Sequence, residues 1–250
     1  MDPKEWELRV HLAAAYRMID HFGWSELIWT HTTVRVPGPE HRFLINPYGL
    51  RFDEVRASNL VKVDMDGNII GDQDQEINPA GFVIHSAIHM ARPDAQCVMH
   101  THTVAGSAVA SLQEGLLPIG MHALGYYDRV AYHDFEGPSL ELDERRRLAA
   151  NLGDKNILIL RTHGLLTCGE TVAQAFVRMF RLERACQIQL AAQSTGSKLT
   201  VPPKEICELT AARSDDFLAA EGSKGYSRVP NPEFLALMRL MDQKDPSYRT

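Results

Sequence analysis

Two histidines one residue apart, at the end of an apolar run, constrain this chain more than any other feature. Cys97-Val98-Met99-His100-Thr101-His102 reads as a β-strand, in which successive side chains alternate faces, so His100 and His102 point the same way. A second apolar run, Ile157-Leu158-Ile159-Leu160, leads into Arg161-Thr162-His163-Gly164. A third histidine therefore stands just past another strand, followed by a glycine that allows close backbone approach. Three neutral imidazoles suit a divalent transition metal and leave at least one coordination position for water or substrate. Spacing alone equally admits three unrelated histidines.

The surrounding chain is long enough to bury the core that such strands need: 250 residues, 44% hydrophobic and 23% charged. A net charge of −6 argues against nucleic-acid binding, which needs a basic face. Met1-Asp2-Pro3-Lys4-Glu5 has no signal-peptide pattern, and no apolar run is long enough to span a membrane. Cys97, Cys168, Cys186 and Cys207 show no close pairing, which fits reduced thiols and a cytoplasmic location.

Taken in order, Asp2-Pro3 opens a helix with a buried stripe of Leu8, Leu12, Ala15, Ile19 and Phe22, stopped by Gly23. Strand-like segments follow at 27–29, 33–36 and 43–45, and those at 60–63 and 68–70 flank the turn signal Asp66-Gly67. The pattern predicts helices over 81–91, 104–112 and 140–152, with 121–132 extended between the last two. Thr171 is placed to cap a long helix whose Val172, Ala175, Met179, Leu182, Cys186 and Leu190 form one stripe. Two weaker helices, centred on 207–218 and 233–241, complete the chain. Strands and helices alternate without a βαβ rhythm, so one mixed α/β domain over 1–195 is expected, with 196–250 as its helical C-terminal extension.

With these residues placed, the chain resembles the class II aldolase/adducin family over roughly residues 6–193. The resemblance is carried by Thr30-His31-Thr32-Thr33-Val34-Arg35-Val36-Pro37-Gly38, Asn46-Pro47-Tyr48-Gly49, Asn78-Pro79-Ala80-Gly81-Phe82-Val83-Ile84-His85, His100-Thr101-His102 and Thr162-His163-Gly164. It implies a three-layer α/β/α domain around a mostly antiparallel sheet, and a homotetramer with the active site between subunits. It also implies that His100, His102 and His163 match the family's three histidine ligands for a divalent metal, zinc first, with manganese, iron or cobalt as alternatives. The family's sugar-phosphate enzymes carry a Pro-Ser-Ser-Glu-like run, serines for phosphate and glutamate as acid/base. Counted back from His85, the serines fall at Pro79 and Ala80 and the glutamate at Gly81. The Gly-Asn pair expected for phosphate is here Thr30-His31. A dianionic phosphate needs several donors, so the chain looks closer to the adducin-like bacterial branch.

His31, where relatives hold phosphate, is a candidate to contact a carboxylate or oxyanion, or else a strand-end histidine bonded to backbone. His85 lies one helical turn before His89, a spacing that permits a metal pair; His85 is expected to orient a ligand or pack in the site, and His89 to be a helix-face residue. Tyr126, Tyr127, Asp128, His133, Asp134 and Glu136 crowd one segment, from which Tyr126 and His133 are the acid/base candidates. Tyr48 is a candidate for substrate contact, and Arg161 is placed to pair with a substrate carboxylate or, in a structural role, with an acidic residue. Gly81 is expected to open space beside the metal for a bulkier, aromatic acid.

A bound divalent ion can polarise a carbonyl and stabilise the enediolate formed when a neighbouring carbon–carbon bond breaks. Without phosphate donors, the expected substrate is a small unphosphorylated oxo- or hydroxy-carboxylic acid, and the expected protein a metal-dependent lyase. Decarboxylation ranks ahead of retro-aldol cleavage because it needs no hydroxyl to be deprotonated. The alternatives are a non-heme iron oxygenase using the same three histidines and a non-enzymatic adducin-like interaction module. A scaffold, however, has no need for three such histidines.

Overall fold

The computed structural model describes residues 1–38, 40–71, 74–137, 143–218 and 231–250. Its helices are α1 (Pro3–His21), α2 (Pro79–Ala91), α3 (Val104–Ala110), α4 (Gly120–Leu124), α5 (Glu144–Leu152), α6 (Val172–Gln193), α7 (Lys204–Leu218) and α8 (Pro232–Lys244). The strands are β1 (His31–Arg35), β2 (Phe43–Ile45), β3 (Val61–Val63), β4 (Cys97–Thr101), β5 (Val130–His133), β6 (Ile157–Leu160) and β7 (Gly164–Gly169). They form one sheet in the order β3-β2-β1-β4-β7-β6-β5. Every neighbouring pair is antiparallel except β5 with β6.

The strand alternation divides the apolar residues between two layers of helices. Cys97, Met99, Ile157, Ile159 and Leu165 join the core beneath α1 and α6, whereas Val98, Leu158, Leu160, Leu166 and Cys168 face Ile84, Ile88, Leu148 and Leu152 of α2 and α5. Helices on both faces of a mostly antiparallel sheet make the three-layer α/β/α domain expected from the sequence. Phe234, Met238 and Met241 of α8, with Tyr248, bury into the same core as Leu12 and Phe176.

Local signals explain most boundaries. The Asp2 carboxylate accepts the amide of Lys4 at the start of α1, and Thr171 Oγ1 accepts that of Gln174 in α6. Three expectations are corrected. Residues 121–132 are not one extended segment: 120–124 form α4, whose Ala123 and Leu124 are buried, and only 130–133 are strand. Residues 27–29 are a turn closed by the Glu26–Trp29 bridge, with Leu27 in a left-handed conformation. Helix α2 begins two residues early, at Pro79, because Asn78 caps it and proline suits the first turn. The helix expected over 140–152 is described from Glu144 onward, and its first residues lie outside the described set. The expected Asp66-Gly67 turn is present, but beyond it only Ile69 bridges back to Val63.

Candidate metal centre

β1, β4 and β7 run side by side, and their ends bring the histidines together. His100 pairs with His31 across β1 and β4 and with Leu166 across β4 and β7. His163 sits in the three-residue link between β6 and β7, beside Thr162 at φ 53°. A side chain at Gly164 would place its Cβ 2.4 Å from the Thr101 carbonyl and 3.1 Å from His102, so only glycine lets β7 pass the His-x-His pair.

His100, His102 and His163 form a cluster whose ligand atoms all lie within 4.8 Å of one another. The outer nitrogens of two of them are committed. His100 Nδ1 donates to the Leu165 carbonyl at 2.9 Å, and His102 Nδ1 lies 2.6 Å from Glu26 Oε2. Each neutral ring carries one proton, so both Nε2 atoms are left with lone pairs. They face each other at 2.7 Å, two acceptors that a shared cation would reconcile. Two nitrogens at about 2.1 Å from one ion lie about 3–3.5 Å apart, a little more than the separation of these two. Burial, with the neighbouring imidazoles, pushes His100 well below its ordinary pKa and His163 down to about 4. Both thus present the neutral form that metals bind. The donor set fits a divalent transition metal.

A second group of histidines lies against this cluster. His31 and His85 face each other with Nδ1 of the first 2.8 Å from Nε2 of the second, and the His31 ring centroid is 5.2 Å from that of His100. Thr33 Oγ1 stands 2.6 Å from His85 Nδ1 and 2.8 Å from His89 Nε2, while His89 Nδ1 meets the Ala95 carbonyl at 3.0 Å. His31 is thus bonded to a side chain, not to backbone. His89, expected on a helix face, is fully buried. Burial, with Arg35 nearby, takes its pKa down to about 3. The space expected beside Gly81 is filled: a Cβ there would lie 2.4 Å from His31 Cδ2 and 2.8 Å from its Nε2.

The remaining sequence candidates are held by other partners. Tyr126 is buried with its hydroxyl donating to the Arg178 carbonyl of α6. His133 is held between Asn151 at 2.8 Å and Glu144 at 3.3 Å under α5. Arg161 donates to the Leu112 carbonyl at 2.6 Å and stacks over Tyr132. Tyr48 packs edge-on to the half-exposed Trp29. Sequence reasoning missed Glu26, Thr33 and Thr30. Thr30 is β-branched yet sits at φ 68°, and its buried hydroxyl has no partner among the described residues. Thr33, two residues from His31, is the one that the alternation rule would have found.

A mostly antiparallel sheet between helical layers gathers three imidazoles at its strand ends, an α/β fold with a candidate site for a divalent metal. The chain belongs to the family described as Class II Aldolase and Adducin N-terminal domain, whose model matches residues 10–190. It is 47% identical over 245 residues to a Pseudomonas aeruginosa protein named provisionally as an aldolase class 2 protein, covering 98% of this chain and 93% of that one. Mouse alpha-adducin is 43% identical over 100% of this chain, which corresponds to 34% of that protein's length. Among solved structures, an aldolase II superfamily protein from Pseudomonas syringae superposes with a TM-score of 0.90 at 47% identity, covering 100% of this chain and 98% of the other. L-fuculose 1-phosphate aldolase from Glaciozyma antarctica gives 0.83 at 30% identity, covering 99% and 93%.

Proposed function

We propose that this protein is a metal-dependent carbon–carbon lyase, a decarboxylase or aldolase, acting on a small unphosphorylated oxo- or hydroxy-carboxylic acid. The observation that carries the reading is the pair of Nε2 lone pairs at His100 and His102, turned inward by Leu165 and Glu26, with His163 beside them. His100, His102 and His163 would hold the ion, zinc by preference for this all-nitrogen set, with manganese, iron and cobalt to be compared. Such an ion supplies Lewis-acid polarisation of a carbonyl next to the bond that breaks. The protein's own groups exclude water around His31 and His100 and leave the Thr30 hydroxyl for a substrate oxygen.

The absence of phosphate argues from local structure. The amides of Ala80 and Gly81, which a helix N-terminus would otherwise offer to an anion, are already taken by Asn78 Oδ1 at 3.0 and 3.3 Å. The likeness to L-fuculose 1-phosphate aldolase favours a sugar phosphate instead, and turnover of fuculose or ribulose phosphates would replace our substrate class. The likeness to alpha-adducin favours an interaction module; the retained histidines favour an enzyme.

We place the protein in the cytoplasm as a homotetramer, with 1–195 as the aldolase-like domain and 196–250 as its helical extension. The free, buried cysteines support the first, and the exposed Leu27, Trp29, Val104 and Phe135 near the histidine cluster in sequence or space support the second. No helix among the described residues is long and apolar enough to cross a membrane. The test is an anaerobic screen of oxo- and hydroxy-acids for pyruvate or carbon dioxide release with zinc, manganese and iron loaded separately. Release under those conditions is expected. Activity that requires iron and consumes oxygen stoichiometrically would make the site an oxygenase.

A further inference from the structure

The hydrogen-bond chain behind the metal centre has a fixed end, and that end dictates where every proton lies. The Ala95 carbonyl can only accept, so His89 carries its proton on Nδ1, 3.0 Å away. A neutral imidazole has one such proton, so His89 Nε2 is a lone pair and the Thr33 hydroxyl at 2.8 Å must donate to it. That hydroxyl has no second proton. Toward His85 Nδ1, at 2.6 Å, it can only accept, which places the His85 proton on Nδ1 as well. His85 Nε2 is then bare and accepts from His31 Nδ1 at 2.8 Å. By elimination His31 Nε2 carries no proton.

All three rings are buried, and Arg35 donates to the backbone carbonyl of His89, so a further positive charge in the chain is opposed. Among the described residues none hydrogen-bonds to His31 Nε2. The ring packs against Gly81 with Cγ, Cδ2 and Nε2 all close to it, and stands alongside the ring of His100.

We propose that the Ala95–His89–Thr33–His85 relay locks His31 in its Nδ1–H tautomer and leaves a bare Nε2, on a ring beside that of His100, as the proton acceptor for a substrate hydroxyl. The proton-accepting role rests on the lyase reading above; the tautomer does not. In the cleavage of an oxo-acid with a hydroxyl β to its ketone, the O–H bond breaks and an N–H bond forms at Nε2. The oxygen's electron pair becomes the new carbonyl, and the carbon–carbon bond electrons pass into the adjacent carbonyl of the other fragment. His31 then returns the proton to that fragment's carbon, so no oxidant or co-reactant is needed. His31 is the catalytic residue here, and Thr33, His85 and His89 are positioning residues.

The test is solid-state nitrogen NMR of full-length, zinc-loaded protein labelled with 15N-histidine, with the His31 signals assigned by their loss in His31→Gln. The expected spectrum gives His31 a pyridine-type Nε2 and a protonated Nδ1. In Thr33→Val the His31 signals should divide between two tautomers, and kcat for the hydroxy acid cleaved should fall roughly 100-fold with little change in KM. Thr33→Ser should restore both, and the zinc content of each variant shows that the fold persists. A protonated Nε2 in the parent protein, or a Thr33→Val spectrum identical to the parent's, would overturn the relay. A correct tautomer in a protein that only decarboxylates would overturn the acceptor role, and one in a protein that cleaves no oxo- or hydroxy-acid would overturn the lyase reading as well.

Discussion

Replacing Gly81 with alanine sets two effects of opposite sign against each other. Gly81 lies in the first turn of α2, where alanine is better by about 1 kcal/mol on helix propensity alone. The added methyl, however, would sit 2.4 Å from His31 Cδ2 and 2.7 Å from its Cγ, a distance that real carbon atoms do not tolerate. The helix backbone is fixed by the Asn78 cap, so the His31 ring must turn. Turning it costs roughly 1–3 kcal/mol for overpacking and roughly 1–3 kcal/mol for leaving His85 Nε2 unpaired in a buried site. The balance is a net loss of roughly 1–5 kcal/mol. Urea denaturation of parent and variant at one protomer concentration would measure it, as a lowered midpoint at unchanged slope. A variant as stable as the parent, or more so, would show that the notch is empty and that His31 does not fill it.

Other perturbations follow from the same contacts. Glu26→Gln should weaken metal binding roughly 10–100-fold, read by competition against a chelator, because His102 Nδ1 loses a charged partner 2.6 Å away. Gly164→Ala puts a Cβ 2.4 Å from the Thr101 carbonyl and should lower thermal stability more than Gly81→Ala does, since backbone cannot swing aside. Stability should fall on acidification from about pH 6.5 toward pH 3. His89 titrates at about 3 when folded but at about 6.5 when unfolded, so only the unfolded chain gains a proton in that window. The slope from such a histidine approaches about 1.4 kcal/mol per pH unit, and thermal melts of His89→Gln should show a shallower dependence.

The strand that carries His100 and His102 was legible because alternation within one apolar run needs no tertiary information. The same holds for the glycine after His163, whose need for space shows directly against Thr101. Strand β7 was passed over because Arg161-Thr162-His163-Gly164 reads as the end of a strand rather than as a turn between two. Helix α4 was missed because its five residues are too few to show a period and are held by packing on α6. His89 read as a helix-face residue because one of its two partners, the Thr33 hydroxyl, comes from a strand far away in sequence. Glu26 belongs to an irregular turn with no pattern of its own, and only the fold sets it against His102. Gly81 was read correctly as a missing side chain, but its consequence was not. What fills the gap is a ring from the neighbouring strand.

The most direct measurement is the metal content of purified protein, stripped and then repleted with zinc, for the parent and for His102→Ala. The three-histidine centre predicts about one ion per chain in the parent and none in the variant, with the circular dichroism of the two alike. A parent that retains no metal after repletion, or a variant that still holds one ion per chain, would contradict it.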